Sequence, residues 1–119
     1  MRNMSFSLTT EQIRAGTKTV TRRTGWVFAK VGDKYNPVVK GQGLKKGEKV
    51  DRIRGPLRVV RVQRQWVGCI GCEENGTAKE GLPEMAPLDF VIMFCKANKC
   101  NLATLVTRIE FEYTDKESK

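Results

Sequence analysis

Histidine is absent from all 119 residues of the sequence, and aromatic residues make up only 8% of it. The first absence excludes histidine general bases, Ser-His nucleophile pairs and zinc sites of mixed Cys/His composition. The second leaves few rings beyond those that a hydrophobic core needs, so extensive base stacking on the surface is not expected. Chemistry in this chain therefore depends on lysine, hydroxyl, thiol or carboxylate groups.

Long apolar runs are missing as well. No window approaches about 18 consecutive apolar residues, so no membrane-spanning segment is expected. The opening residues, MRNMSFSLTTEQIRAG, lack the apolar stretch of a signal peptide, which makes a cytoplasmic location the default expectation. The length predicts a single domain over residues 1–119, with a core over about 4–113 and a frayed tail at 114–119.

Acidic residues are scarce in the first half of the chain. Residues 1–64 contain 16 Lys/Arg and 4 Asp/Glu, a net charge of +12, whereas residues 65–119 contain 6 and 9, a net charge of −3. With a pI near 9.7, this asymmetry favours an anionic partner, most simply RNA or another nucleic acid. The alternative interpretation is that the charge serves solubility alone.

Short strands separated by turns dominate the predicted secondary structure. Thr9 and Gln12 fit a capping box and Gly16 suits a left-handed helix end, which together predict a helix over about residues 10–15. The remaining predicted elements are strands at 34–39, 56–66 and 105–113, a helix at 87–98, and a long glycine-rich loop over 67–82.

Two of these elements carry more specific expectations. Pro37 places the strand 34–39 at a sheet edge or at a bulge. The helix 87–98 is expected to pack deep against a sheet, because Leu88, Val91, Ile92 and Cys95 form an apolar face that Phe90, Met93 and Phe94 broaden. The pattern as a whole predicts an α+β fold, a small β-barrel or curled sheet with about two packed helices.

The stretch GTKTVTRR, residues 16–23, mixes hydroxyl groups with cations. Thr and Val favour a strand, in which Lys18 shares a face with Arg22 while Thr21 shares the other face with Arg23. A turn of loop or helix would instead bring Lys18 and Thr21 together on one side. The sequence leaves both arrangements open.

A lysine held in a dry pocket can act as a base toward a threonine hydroxyl, and a carboxylate can orient it or protonate a leaving group. Lys18 and Thr21 are the candidate base and nucleophile, and Glu80 is the preferred carboxylate. By composition alone Lys18 is an ordinary surface lysine. The carboxylates that compete with Glu80 are Glu73, Glu74 and Glu84.

Four cysteines are grouped in two pairs. Cys69 and Cys72 form a C-x-x-C motif, and Cys95 and Cys100 are five positions apart. Four thiolates could bind zinc, but the second spacing is irregular and Cys95 matches a buried apolar position. A redox pair would need a thioredoxin-like βαβ pattern, which is missing here. We therefore expect no metal and no cofactor.

The loop GQGLKKGEKV contributes Lys45, Lys46 and Lys49. Its glycine spacing matches neither the P-loop nor the dinucleotide-binding motif, so we interpret it as a basic loop that touches a nucleic acid backbone. Among the aromatic residues, Trp66 follows a predicted strand and is the best candidate for an exposed ring that stacks on a base.

Several sequence blocks in the same order resemble the ASCH domain family, in particular its small stand-alone members from phages and prophages. The blocks, which span about residues 4–113, are FSLTTEQIRAGTKTVTRRTGW, GLKKGEKV, EGLPEMAPLDFVIMFC and VTRIEFEY. Gly16, Lys18 and Arg22 stand where the family has its glycine, lysine and basic signature residues. The segment 67–79, which contains CIGC, departs from the family pattern.

The resemblance implies a PUA-like fold, a small mixed β-barrel with helices around a central cleft. The family is proposed to bind RNA or modified nucleotides. Some bacterial members hydrolyse N4-acetylcytidine with a Lys-x-x-Thr pair and a glutamate, and those positions correspond to Lys18, Thr21 and Glu80 here.

The interpretation that the sequence favours is an RNA- or nucleic-acid-binding module with a cleft for a modified or unmodified base. Its expected contacts are Lys18, Arg22, Arg23, Lys45, Lys46, Lys49 and Trp66. The alternative is a metal-independent amidohydrolase that acts on N4-acylated cytidine through Lys18, Thr21 and Glu80. A third interpretation is a domain that serves protein interaction alone.

Overall fold

A computed structural model describes residues 1–40 and 50–115. Within these ranges a mixed sheet is flanked by helices, which is the α+β class that the sequence predicts. In chain order the elements are β1 (Arg2–Ser5), α1 (Thr10–Ala15), β2 (Val20–Arg23), β3 (Lys34–Val38), β4 (Leu57–Trp66), a 3-10 helix (Val67–Cys72), α2 (Gly76–Lys79), α3 (Pro87–Asn98) and β5 (Leu105–Tyr113).

The sheet has five strands in the order β1-β3-β4-β5-β2. β4 and β5 form a long antiparallel ladder with Val62 opposite Ile109, and β2 pairs antiparallel with β5. β1 runs parallel to β3. In the part of the chain that the structure describes, β1 and β2 are the two edges of an open sheet, so the closed barrel is not confirmed.

Two apolar clusters cover parts of the sheet. Ile109 and Phe111 of β5 belong to the first cluster and Val106 to the second, so β5 has apolar neighbours on both of its faces. Each fully buried large side chain contributes about 1.5–3 kcal/mol. The other main members are Met4, Phe6, Ile13, Tyr35, Leu57 and Val59 in the first cluster and Val67, Ile70, Phe90, Val91 and Phe94 in the second.

Helix α1 occupies the predicted residues but begins differently from the prediction. Thr9 makes no capping hydrogen bond through its side chain, so the capping box is wrong. The Thr10 hydroxyl donates instead to the carbonyl of Phe6 at 2.8 Å. Gly16 ends the helix in the left-handed region at φ 78°, as predicted, and its N–H donates to the carbonyl of Ile13. That turn directs the chain toward β2.

Residues 67–82 are not the loop that the sequence predicts. The 3-10 helix and α2 lie in this segment, which turns Val67 and Ile70, both fully buried, toward α3. Glycine lowers helix propensity and so favours a loop assignment, but burial of these two apolar side chains overrides that preference.

Helix α3 spans the predicted residues, and part of its predicted apolar face is buried. Phe90, Val91 and Phe94 are buried, whereas Leu88 and Ile92 are 66% and 58% exposed. The rings of Phe90 and Phe94 stack with their centroids 5.9 Å apart. Turning two phenylalanines inward buries more apolar area than turning Leu88 and Ile92 inward, which explains why the phenylalanine side of the face is the buried one.

Strand β3 lies between β1 and β4 rather than at a sheet edge. Its ladder with β4 covers only Lys34 and Tyr35, so Pro37 lies beyond that ladder and needs no N–H for it. Among the described residues, no helix has both the length and the apolar content to cross a membrane.

Candidate functional site

A cavity of about 750 Å³ opens between the start of β2, the segment after β1 and one side of α3. It has a charged and polar part and an apolar part. The first part includes Ser5, Lys18, Thr21, Arg22, Arg23 and Glu80, and the second includes Phe6, Trp26, Leu82, Phe90, Met93 and Phe94. A cavity of this size and mixed lining accommodates a nucleoside-sized ligand.

The backbone around Lys18 is held from two directions. The Tyr113 hydroxyl donates to the carbonyl of Lys18. The N–H of Thr19 donates to the carbonyl of Lys79 at 2.8 Å, and the carbonyl of Thr19 accepts from Phe111 N–H at 2.9 Å. These hydrogen bonds hold the backbone of Lys18 in place between β5 and the end of α2.

Lys18 and Glu80 form a buried pair. Each residue is 3% exposed, and Lys18 Nζ lies 2.6 Å from Glu80 Oε1 and 2.8 Å from the Glu80 carbonyl oxygen. Burial lowers the pKa of Lys18, an effect that Glu80 opposes and that the charges of Arg23 and Arg22 reinforce. Lys18 is therefore easier to deprotonate than an ordinary surface lysine.

Gly81 permits the close approach of this segment to Lys18. It has φ +87°, in the left-handed region, and a Cβ there would lie 2.8 Å from the Gln12 side chain and 3.1 Å from Lys18 Cβ. Only a glycine fits at this position without displacing its neighbours.

The guanidinium group of Arg22 is fully engaged by acceptor groups. Its side chain is 0% exposed. It donates to Glu80 Oε2 at 2.9 Å, to Glu73 Oε1 at 2.5 Å and to Gln65 Oε1 at 3.1 Å. A phosphate contact by Arg22, which the sequence predicts, would require these bonds to break.

Glu73 lies on the far side of Arg22 from Glu80. Arg108 donates to both of its carboxylate oxygens, at 2.9 and 2.8 Å, and Lys79 Nζ lies 3.6 Å away. Burial alone would raise the pKa of Glu73, but the hydrogen bond from Arg108 and the nearby cations outweigh it and lower that pKa. Glu73 is therefore a stable carboxylate.

Arg23 holds the hydroxyl of Thr21. Its Nε donates to Thr21 Oγ1 at 3.2 Å, its second nitrogen donates to the Ser5 carbonyl, and the guanidinium lies over the rings of Phe6 and Trp26. Burial lowers the pKa of Arg23 to about 10, against the opposing charge of Glu80. Because Thr21 Oγ1 accepts from Arg23, its own proton remains available for donation elsewhere.

Of the remaining predicted contacts, Trp66 is 52% exposed, which confirms the expectation of an exposed ring, but it does not line the cavity. Lys45, Lys46 and Lys49 lie outside the described residues. Among the competing carboxylates, Glu74 and Glu84 are exposed and Glu80 is the partner of Lys18.

The cysteines do not assemble into a four-thiolate site. All four thiols are free, and among the described residues no group of three or more Cys, Asp or Glu side chains is placed to hold a metal ion. Sequence reasoning also missed Gln65 and Arg108. An arginine within the apolar strand VTRIEFEY was the available signal for Arg108, since a buried arginine requires a carboxylate partner.

Comparison with known proteins gives one structural likeness. No family model matches the sequence, and no curated protein matches it. The fold is similar to the crystal structure of protein EF3133 from Enterococcus faecalis V583, described as family-model DUF984, with a TM-score of 0.57 and 15% sequence identity. The match covers 95% of this chain and 76% of the other. At this identity the likeness concerns the fold alone.

Proposed function

We propose that this protein is a metal-independent amidohydrolase that removes the acyl group from an N4-acylated cytidine, and that it is an ASCH-type domain of PUA-like fold. The observation that carries the proposal is the buried Lys18–Glu80 pair, with 2.6 Å between Nζ and Oε1, in the same cavity as Thr21. A buried lysine paired with a carboxylate, in a cavity that also contains a hydroxyl, supplies a base, an acid and a nucleophile.

The first half of the reaction begins with one proton shared between Lys18 and Glu80. Movement of that proton to Oε1 leaves a neutral amine and a carboxylic acid, and the lowered pKa of Lys18 makes release of the proton from the amine easier. The amine takes the proton of Thr21 Oγ1, which attacks the acyl carbonyl carbon. The bond from that carbon to N4 breaks, and N4 receives the proton of Glu80. Cytidine leaves, and the acyl group is an ester on Thr21.

The second half consumes one water. Glu80, now a carboxylate, takes a proton from the water as its oxygen attacks the ester carbon. The bond to Thr21 Oγ1 breaks, and that oxygen recovers its proton from the Lys18 ammonium. The products are cytidine and a carboxylic acid, and both protein groups return to their first state.

Arg23 and the apolar part of the cavity have separate roles in this proposal. The Arg23 guanidinium, which donates to Thr21 Oγ1, would stabilise the negative charge on that oxygen as it loses its proton. The side chains of Leu82, Phe90, Met93 and Phe94 offer an apolar surface for a flat base.

Substitution of each of the three proposed catalytic residues tests this function. We expect Lys18→Met, Thr21→Val and Glu80→Gln each to lower the hydrolysis of N4-acetylcytidine by about 100-fold or more, because each removes a proton carrier or the nucleophile. Liquid chromatography of released cytidine measures the rate, and thermal unfolding checks that each variant is folded.

Matched controls exist within the chain. Lys34→Met, Thr19→Val and Glu84→Gln change the same residue types at exposed positions outside the cavity lining. These variants are expected to keep the wild-type rate. Full turnover by any of the three cavity variants would show that the assignment is wrong.

A second candidate function, binding of a nucleic acid strand, is favoured by the surface of β4. Arg64 and Trp66 are exposed on one face of this strand, opposite Thr107 and Leu105, and a base can stack on the exposed indole while Arg64 contacts a phosphate. In this second proposal, the cavity binds one base of a longer nucleic acid strand.

A further inference from the structure

Glu73 is a carboxylate that the proposed reaction does not use, yet it has an unusual environment. It lies between the 3-10 helix and α2, and its side chain is 16% exposed. Three cations surround it, namely Arg22, Arg108 and Lys79. Such an arrangement keeps Glu73 ionised and fixed in position.

Arg22 connects Glu73 to Glu80. Its two terminal nitrogens bind different carboxylates, one donating to Glu73 Oε1 and the other to Glu80 Oε2. Glu80 therefore accepts from Arg22 through Oε2 and from Lys18 through Oε1. The orientation of Glu80 toward Lys18 depends on where Arg22 is held.

We propose that Glu73 is a positioning residue, which acts through Arg22 to hold Glu80 with Oε1 presented to Lys18. This inference rests on the proposed function for its kinetic consequences, but the geometry that it describes exists in the protein without substrate. Without the Glu73 carboxylate, Arg22 is free to bind both oxygens of Glu80 as a bidentate pair, which withdraws Oε1 from Lys18.

The charges around the site also predict that loss of Glu73 affects Lys18. The cations that face one another across β2, β5 and the end of α2 are Lys18, Arg22, Arg23, Lys79 and Arg108, and the carboxylates are Glu73, Glu80 and Glu110. Loss of Glu73, the carboxylate that binds Arg22 and is less exposed than Glu110, leaves buried positive charge uncompensated. The protonated form of Lys18 is then less favourable, so its pKa falls further below the ordinary value.

The variant Glu73→Gln keeps the size of the side chain and one acceptor oxygen while removing the charge. We expect kcat to fall by about tenfold with KM within about twofold, since Glu73 does not line the cavity. In the plot of kcat against pH, the limb that reports Lys18 deprotonation should move to lower pH. A residue that only supports the fold would lower the amount of active protein, and so the apparent kcat, without moving that limb.

A readout independent of turnover is the titration of Lys18 by NMR in protein labelled at lysine with ¹³C and ¹⁵N. We expect the Lys18 pKa in Glu73→Gln to be lower than in wild type by about one pH unit, the size that removal of a nearby charge produces. If wild type hydrolyses no N4-acylcytidine, the proposed function fails, but this titration still tests the positioning role.

Glu110→Gln is the matched control. Glu110 also contacts Arg108, at 3.3 Å, but lies on β5 and its side chain is 37% exposed. It has no hydrogen bond to Arg22 among the described residues. We expect this variant to keep the wild-type kcat and the wild-type Lys18 titration.

The double variant Glu73→Gln/Arg108→Met separates charge balance from folding defects, because it removes one cation together with one carboxylate. We expect it to recover part of the lost kcat and to return the Lys18 pKa toward wild type. An unchanged pH profile and an unchanged Lys18 titration in Glu73→Gln would overturn the inference, as would an equal effect in Glu110→Gln.

Discussion

At the residue scale, Lys18 shows how the environment changes a side chain that composition treats as ordinary. Surface exposure is the usual condition of a lysine, whereas Lys18 is buried against Glu80. Burial of a charge is unfavourable unless a partner compensates it; here one carboxylate compensates the charge of Lys18, while two nearby arginines oppose it. A small change in the charges around Lys18 therefore alters its protonation.

This environment makes stability depend on pH in a defined direction. The folded-state pKa of Lys18 is below its unfolded value of 10.5, so the unfolded chain binds more protons between those two values and stability rises with pH there. We expect the free energy of unfolding of wild type, relative to Lys18→Met, to increase as the pH rises toward 10.5.

Urea unfolding of both proteins across this range measures the difference. Groups that both proteins share, including Tyr35 and Tyr113 with pKa values raised to about 12 by burial, cancel in the comparison. A difference that stays constant or decreases with rising pH would contradict the lowered pKa of Lys18.

At the element scale, the end of α2 depends on a glycine that the sequence does not single out. Gly81 follows Glu80 directly and has a positive φ of 87°. Its missing Cβ leaves room for Gln12 of α1 and for Lys18, so α1, α2 and the start of β2 meet at this residue. The distance between Lys18 and Glu80 therefore depends on the turn that Gly81 makes.

Alanine at this position combines two costs. The positive φ costs about 1–2 kcal/mol, and the added methyl at 2.8 Å from Gln12 adds about 1–3 kcal/mol of overpacking. We expect Gly81→Ala to destabilise the protein by the sum of these and to lower hydrolysis, because Glu80 is displaced from Lys18.

Gly32→Ala is the control for this comparison. Gly32 has a similar φ of 93°, but no atom lies within 4 Å of an added Cβ. Only the backbone cost is expected there, with normal activity. Chemical denaturation of both variants gives the comparison, and equal destabilisation of the two would show that close packing at Gly81 is unimportant.

At the scale of the whole molecule, the basic first half of the chain divides into internal and external charges. Lys18 and Arg22 are buried and Arg23 lies in the cavity, so these three contribute less to an outer binding surface than the net charge of residues 1–64 indicates. Arg61 and Arg64 of β4 are exposed and remain available for phosphate contacts.

If a nucleic acid strand binds this surface, affinity should fall steeply with salt. Each phosphate contact that is lost on a single strand reduces the slope of log K against log salt by about 0.7, because fewer counterions are released. We expect Arg64→Gln to lower the slope for a single-stranded RNA oligomer by about 0.7, as measured by fluorescence anisotropy.

Arg14→Gln is the matched control, since this exposed arginine already pairs with Glu11 on α1. Its slope is expected to equal that of wild type. An affinity for oligonucleotides that is flat between low and physiological salt would count against strand binding, while leaving the hydrolysis of a small nucleoside unaffected.

The sequence by itself determined most of the secondary structure. Apolar periodicity and terminators act over a few residues, so α1 with Gly16, β4, α3 and β5 occupy the segments that were predicted. It also pointed to Lys18, Thr21 and Glu80 as a group, through spacing and through resemblance to a known family.

Only the tertiary structure decided which side chains meet and which faces are buried. Competition for burial among all apolar side chains turned Phe90 and Phe94 of α3 inward and folded residues 67–82. Likewise, nothing in the sequence distinguishes Arg22 from a surface cation. In the folded protein it is enclosed by Glu73 and Glu80, which are more than fifty positions away. Burial and charge pairing depend on contacts distant in sequence, and these form only when the whole chain folds.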